Sequence, residues 1–269
     1  PQNPKTPKPQ KIHSSKNIKF NFKIKKKSGN GKDNSLIFLS PEGKIYQIEY
    51  AEKAVEGSST IVGIVCKDGV VLATEKVLPS KLLVAQTDKR IYSMSRHAGI
   101  AVNGVIPDGR NIMYKGRKEH KSYSDQYGTE ITGRVLSERL GQYMHFNTCY
   151  YGKRPYGTSC AVSAYDKING YTLHMMDPSG ECSQYHGCAN GRGKQTARSE
   201  IEKVDFLALT CEDALSKIAL ILLKSTEETK DKTRELEFSV ISDETNHEHR
   251  FLGVARCEEL LQSAVKAID

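Results

Sequence analysis

Ser40-Pro41-Glu42-Gly43-Lys44-Ile45-Tyr46-Gln47-Ile48-Glu49-Tyr50-Ala51 runs into Glu52-Lys53-Ala54-Val55-Glu56-Gly57-Ser58-Ser59-Thr60, and this stretch decides the reading of the chain. Its opening is turn chemistry, because proline presets φ and glycine tolerates positive φ. From Ile45 the apolar residues Ile48, Ala51, Ala54 and Val55 recur at three- and four-residue steps. That spacing predicts one buried stripe on a short amphipathic helix, stopped by Gly57. Taken alone, such a turn and helix reads as a surface element packed on its own domain.

Downstream, residues 60–66 and 70–74 are β-rich and separated by Lys67-Asp68-Gly69, a hairpin signal. Residues 91–94 and 98–102 suggest a second hairpin. Two long helical patterns follow, one over 108–127 and one carrying Ile131, Val135, Leu136, Leu140, Tyr143 and Met144 on a single face. Strands are expected again at 159–164, 171–176 and 182–188, then two helices. The second of these starts at Thr210, a plausible N-cap with acids at 212 and 213. Residues 235–241 and a short run near Arg250 complete the strands, and 258–268 reads as a closing helix. Hairpins interrupted by helix pairs predict an α+β fold of antiparallel sheets packed against helices, not a parallel βαβ fold. No linker or repeat divides residues 37–269, which are read as one domain.

Composition narrows the function. The chain has 269 residues, 38% hydrophobic content and a formal net charge of +8. Ten lysines and no acid fall within residues 1–32, and subtracting these ten from +8 leaves −2 for the remainder. The folded body is therefore near neutral, unlike a dedicated nucleic-acid-binding domain. Residues 1–36, rich in Lys and Pro, are expected to be a disordered leader. No apolar run reaches the length of a membrane span. The seven cysteines form no CxxC pair, and Cys182 and Cys188 lack close further ligands. They are read as reduced, mostly buried side chains, with no metal and no cofactor expected. His174 reads as a satisfied core histidine, and His247 and His249 as loop residues. The run 187–193 lacks the spacing of a phosphate loop.

The opening stretch resembles the signature of proteasome α-subunits. Further motifs follow in the family's order: Gly104-Val105-Ile106-Pro107-Asp108-Gly109-Arg110, Arg154-Pro155-Tyr156-Gly157, Met176-Asp177-Pro178-Ser179-Gly180 and Gly191-Arg192-Gly193-Lys194-Gln195. Ser80-Lys81-Leu82-Leu83-Val84, Ile106–Arg110 and Glu244-Thr245-Asn246 look most like the α7, or α type-3, members. The resemblance implies a four-layer α-β-β-α sandwich of two antiparallel sheets, the fold shared with N-terminal-nucleophile hydrolases. It also implies a non-catalytic place in the hetero-heptameric outer ring of the 20S core particle. The implied partners are the other α-subunits, the β-subunits, the C-terminal tails of activator particles and unfolded polypeptide in transit. The implied setting is ubiquitin-dependent and ubiquitin-independent degradation in cytoplasm and nucleus. Position by position, Gly43, Glu49, Arg90 and Val105 match an activator pocket between adjacent subunits, and Pro41 and Tyr50 match the gate turn. The family's Tyr-Asp pair before this turn has no tyrosine here, where the chain reads Asp33-Asn34-Ser35-Leu36-Ile37-Phe38-Leu39.

The rival class is a working threonine peptidase, since catalytic β-type subunits share the fold. Their nucleophile is an N-terminal threonine whose own amine assists as base. The equivalent position here is near Ser59, behind a helix, and its nitrogen is an amide. Glu75 and Arg90 fall where the β-type has its acid and its lysine. Arginine stays protonated, so it cannot take over a tuned lysine's duties.

Overall fold

The computed structural model describes residues 39–40, 43–78, 80, 82–84, 86–150, 152–206, 208–225 and 234–267. The expected leader and the gate-turn residue Pro41 lie outside the described residues.

Ten strands form two five-stranded antiparallel sheets. The first has the order β10-β9-β2-β1-β8: β1 is Ile61–Cys66, β2 Gly69–Val77, β8 Gly187–Asn190, β9 Arg234–Ser242 and β10 Arg250–Phe251. The second has the order β3-β4-β5-β6-β7: β3 is Ile91–Ser93, β4 Ala98–Gly104, β5 Thr158–Asp166, β6 Gly170–Met176 and β7 Cys182–Gln184. The six described helices are α1 (Tyr46–Glu56), α2 (Ile106–Tyr127), α3 (Gly133–Cys149), α4 (Lys194–Ile201), α5 (Cys211–Ser225) and α6 (Val254–Lys266).

Side-chain alternation sorts the strands into layers. In β1 and β2, Val62, Ile64, Cys66, Val71 and Ala73 join α4, α5 and α6 in one core. Ile61, Val70 and Leu72 point the other way and meet Ala101, Ala161 and Leu173 of the second sheet. On that sheet's far side Ile100, Val102, Cys160 and Val162 pack under Ile112, Leu136, Leu140 and Met144 of α2 and α3. The result is the expected four layers. Because both faces of each sheet are covered, the central strands read as continuous apolar runs although they are antiparallel.

Three expectations need correction. Residues 182–188 are two strands in different sheets, because the Tyr185 N–H donates to Leu173 of β6 whereas the His186 carbonyl accepts from Val65 of β1. The closing helix starts four residues earlier, at Val254, where Gly253 supplies an extended N-cap backbone. In α1 only Ala51 and Val55 are buried. Ile48 is half-buried and Ala54 exposed, so part of the predicted stripe stays open to a neighbour.

Candidate functional site

A cleft of about 430 Å³ opens where the C-terminal end of α1 meets the ends of β1, β2 and β4. It is lined by Ala54, Gly57, Ser58, Ser59, Thr60, Glu75, Val77, Arg90, Gly104, Val105 and Arg192. Local chemistry builds it. Ser58 Oγ donates to the Val55 carbonyl at 2.6 Å and accepts from the Gly104 N–H at 2.8 Å, tying α1 to the end of β4. Gly104 has φ +85°, and a Cβ there would stand 2.2 Å from the Gly157 carbonyl oxygen. Only glycine fits that turn. Val105 follows in extended conformation, donates to the Gly157 carbonyl at 2.8 Å and starts α2.

The motifs around this corner meet in space. Arg154 holds Asp108 with two parallel bonds, at 2.6 and 2.8 Å, and the Gly157 N–H donates to the same carboxylate at 3.0 Å. Burial pushes the Asp108 carboxyl up, but the Arg154 guanidinium and the Gly157 amide outweigh it and hold it below its ordinary range. The Arg-Pro-Tyr-Gly loop is thus a clamp on the first turn of α2, behind Val105.

Arg90 enters the cleft from the residue before β3. Its Nη2 and Nε donate to Asp88 Oδ2 at 3.1 and 3.4 Å, and its side chain is 15% exposed. Its backbone is held from below, where the Glu237 carboxylate accepts the Arg90 N–H at 3.0 Å and the Ile91 N–H at 3.4 Å. Glu237 and Glu235 also flank the Lys76 ammonium, at 3.5 and 3.4 Å, on a side chain only 1% exposed. The sequence does not single out this buried lysine with its two carboxylates. The available signal was Glu235 and Glu237 alternating with apolar Leu236 and Phe238 in a strand pattern, which aims two acids into the inter-sheet space.

Of the four expected pocket residues, Arg90 and Val105 share the cleft. Gly43, exposed at φ +78°, and Glu49, paired with Lys44 at 2.9 Å, lie at the other end of α1. Eight residues of chain separate Glu49 from Gly57, about 12 Å along a helix. Tyr50 is half-buried on α1.

The terminal-amine base of the peptidase chemistry has no counterpart at Ser59 or Thr60. Ser59 and Thr60 follow α1 within the chain, so their nitrogens are planar amides that cannot accept a proton. The Thr60 carbonyl accepts from the Glu75 N–H and from Thr74 Oγ1, and Thr60 Oγ1 accepts from the Gly193 N–H at 3.0 Å. Glu75 faces Arg234 at 3.6 Å.

The histidines divide. His174 is buried in β6, and its Nδ1 has no hydrogen-bond partner among the described residues, so it is a core histidine but not a satisfied one. His249 is buried, against the expectation of an exposed loop. Its ring lies over Gly99, where a Cβ would stand 2.1 Å from Nε2, and its Nδ1 meets Ser93 Oγ at 2.8 Å. His247 stacks on Tyr165 with ring centroids 3.9 Å apart. Five of the seven thiols are buried, Cys182 is intermediate and Cys149 exposed.

Comparison with known proteins places these features in a family. Residues 55–241 match the family described as Proteasome subunit. The chain is 42% identical over 241 residues to Proteasome subunit alpha type-3 of Arabidopsis thaliana, covering 90% of this chain and 96% of that protein. It is 44% identical over 236 residues to Probable proteasome subunit alpha type-7 of Schizosaccharomyces pombe, covering 88% and 91%. It is 42% identical over 241 residues to Proteasome subunit alpha type-3 of Acanthamoeba castellanii, covering 90% and 95%.

Proposed function

The chain belongs to the proteasome subunit family, and from that membership we propose that its cleft receives the C-terminal carboxylate of an activator's tail, with Arg90 as the cation that holds it. The chain is an α-type, non-catalytic subunit of the threonine-protease core particle and assembles with the particle's other subunits.

The observation that carries the proposal is Arg90 at the rim of an open cleft beside Val105. Asp88 occupies Nε and Nη2 through a single oxygen. A guanidinium has five N–H donors in a fixed fork, so the outer edge can still grip a carboxylate. Because the pocket is shared by adjacent α-subunits, Gly43 and Glu49 need not stand beside Arg90 within one chain. In the same reading Pro41 and Tyr50 set the open state of the gate, and unfolded polypeptide passes through the ring for ubiquitin-dependent and ubiquitin-independent degradation in cytoplasm and nucleus.

A purely structural Arg90–Asp88 pair is the competing account. Cross-linking of an activator tail peptide to this pocket in assembled particles separates the two. Arg90→Ala should weaken tail binding at this site by about 1.5–3 kcal/mol, the range for bonds to a charged group. Arg90→Lys should restore most of it. Equal yields for wild type and Arg90→Ala, with assembly unchanged, would leave the ion pair as the whole role of Arg90.

A further inference from the structure

Two side chains of one hairpin and a third far along the chain, all of metal-ligating type, converge outside the cleft. Cys66 ends β1, Asp68 sits in the turn to β2, and Cys211 is the first residue of α5. Their ligand atoms lie within 4.8 Å of one another, with both cysteines buried and Asp68 half-buried. Asp68 Oδ1 accepts the Cys211 N–H at 2.9 Å, which fixes the carboxylate against that sulfur. Gly69 permits the approach, since a Cβ there would stand 2.6 Å from Cys211 Sγ. A second cleft, of about 390 Å³, opens on Asp68 and Cys211 and gives a path to solvent.

We propose that Cys66, Asp68 and Cys211 form a binding site for one thiophilic divalent cation of the zinc class, with its fourth position open to water from the cleft. Two sulfurs and one carboxylate oxygen are the donor types zinc takes, and soft thiolates discriminate against magnesium and calcium. Binding replaces two S–H bonds by two metal–sulfur bonds and releases two protons to solvent. The site sits at the N-terminus of α5, whose partial positive charge favours the thiolates and carboxylate once the protons leave. An occupied site would staple the β1–β2 hairpin to α5.

The full chain is titrated with Co²⁺ under reducing conditions. One equivalent should produce thiolate-to-cobalt charge-transfer absorption and release two protons, and Zn²⁺ should abolish the band by displacement. Cys66→Ser and Cys211→Ser should each remove the band. Asp68→Asn should weaken Co²⁺ binding by about tenfold or more, at least the loss seen for residues that merely support ligands. A measurement on wild type alone guards against unfolded variants: Zn²⁺ should slow iodoacetamide labelling of Cys66 and Cys211, while the exposed Cys149 stays equally reactive. The proposal fails if the band never forms, if it survives in Cys211→Ser, or if Zn²⁺ leaves labelling of Cys66 and Cys211 unchanged.

Discussion

Replacing Glu237 by Gln tests whether the buried charges beneath the cleft hold Arg90 in place. The carboxylate makes three contacts, to the Arg90 N–H, the Ile91 N–H and the Lys76 ammonium. An amide of the same shape keeps one acceptor oxygen but turns an NH₂ toward either the Ile91 N–H or the Arg90 N–H and the ammonium together. One stranded donor costs about 1–3 kcal/mol, and the lost bond to a charged group about 1.5–3 kcal/mol. The sum, roughly 2.5–6 kcal/mol, is a large part of a domain's usual stability of about 5–15 kcal/mol. Glu235 remains 3.4 Å from Lys76 and keeps the ammonium from being left wholly uncompensated, which favours the lower part of that range. Urea denaturation at fixed subunit concentration measures the loss. A Lys76→Met, Glu237→Gln double variant should recover part of it, because removing the buried ammonium with its partner is less costly than removing the partner alone. A cost below about 1 kcal/mol, or strict additivity of the two substitutions, would refute the argument.

Other outcomes follow from the same geometry. The chain should neither turn over fluorogenic peptides nor be labelled by a threonine-directed epoxyketone, and covalent labelling within residues 57–62 would contradict the amide argument. Ile48→Asp should leave the domain folded yet block incorporation into particles, by roughly several kcal/mol if the neighbour buries the site fully; normal incorporation on native gels would count against α1 as an assembly surface. Burial pushes His249 from 6.5 down to about 4. Between those values the unfolded chain binds the extra proton, so stability should rise with pH through that window. His249→Gln should flatten the rise in a series of melts, and an unchanged pH profile would show that His249 does not control it.

Much of the fold is legible from residue periodicity because its strands are long and covered on both sides. The hairpin around Asp68-Gly69, the pair of long helices and the Thr210 start of α5 all stand as read, and Thr210 Oγ1 accepts the Asp213 N–H at 3.2 Å. Residues 182–188 read as one strand because the exchange of sheets between Tyr185 and His186 leaves no turn residue in the sequence. The start of α6 is missed since its first turn is exposed and carries little apolar signal. Arg90 and Val105 line one cleft, which neither Gly43 nor Glu49 lines. What supports Arg90 from below, Lys76 between Glu235 and Glu237, depends on pairing between β2 and β9, which are far apart in the chain. Single-sequence patterns carry no such long-range information, and the same holds for Cys66 with Cys211.

The exchange of sheets between Tyr185 and His186 also sets where this chain tolerates changes in length. β7 is locked to β6 with Cys182 opposite Met176, and β8 to β1 with Asn190 opposite Ile61. Ala189 faces the helical layer and Cys188 the space between the sheets. One inserted residue between Gln184 and Gly187 must either bulge at the crossing or slide β8 by one position, which would swap those two environments. The Asp166–Gly170 hairpin, with Ile168 84% exposed, carries no such double constraint. Tags, probes and natural insertions therefore belong at the hairpin, and the crossing is a fixed-length splice between the two halves of the sandwich.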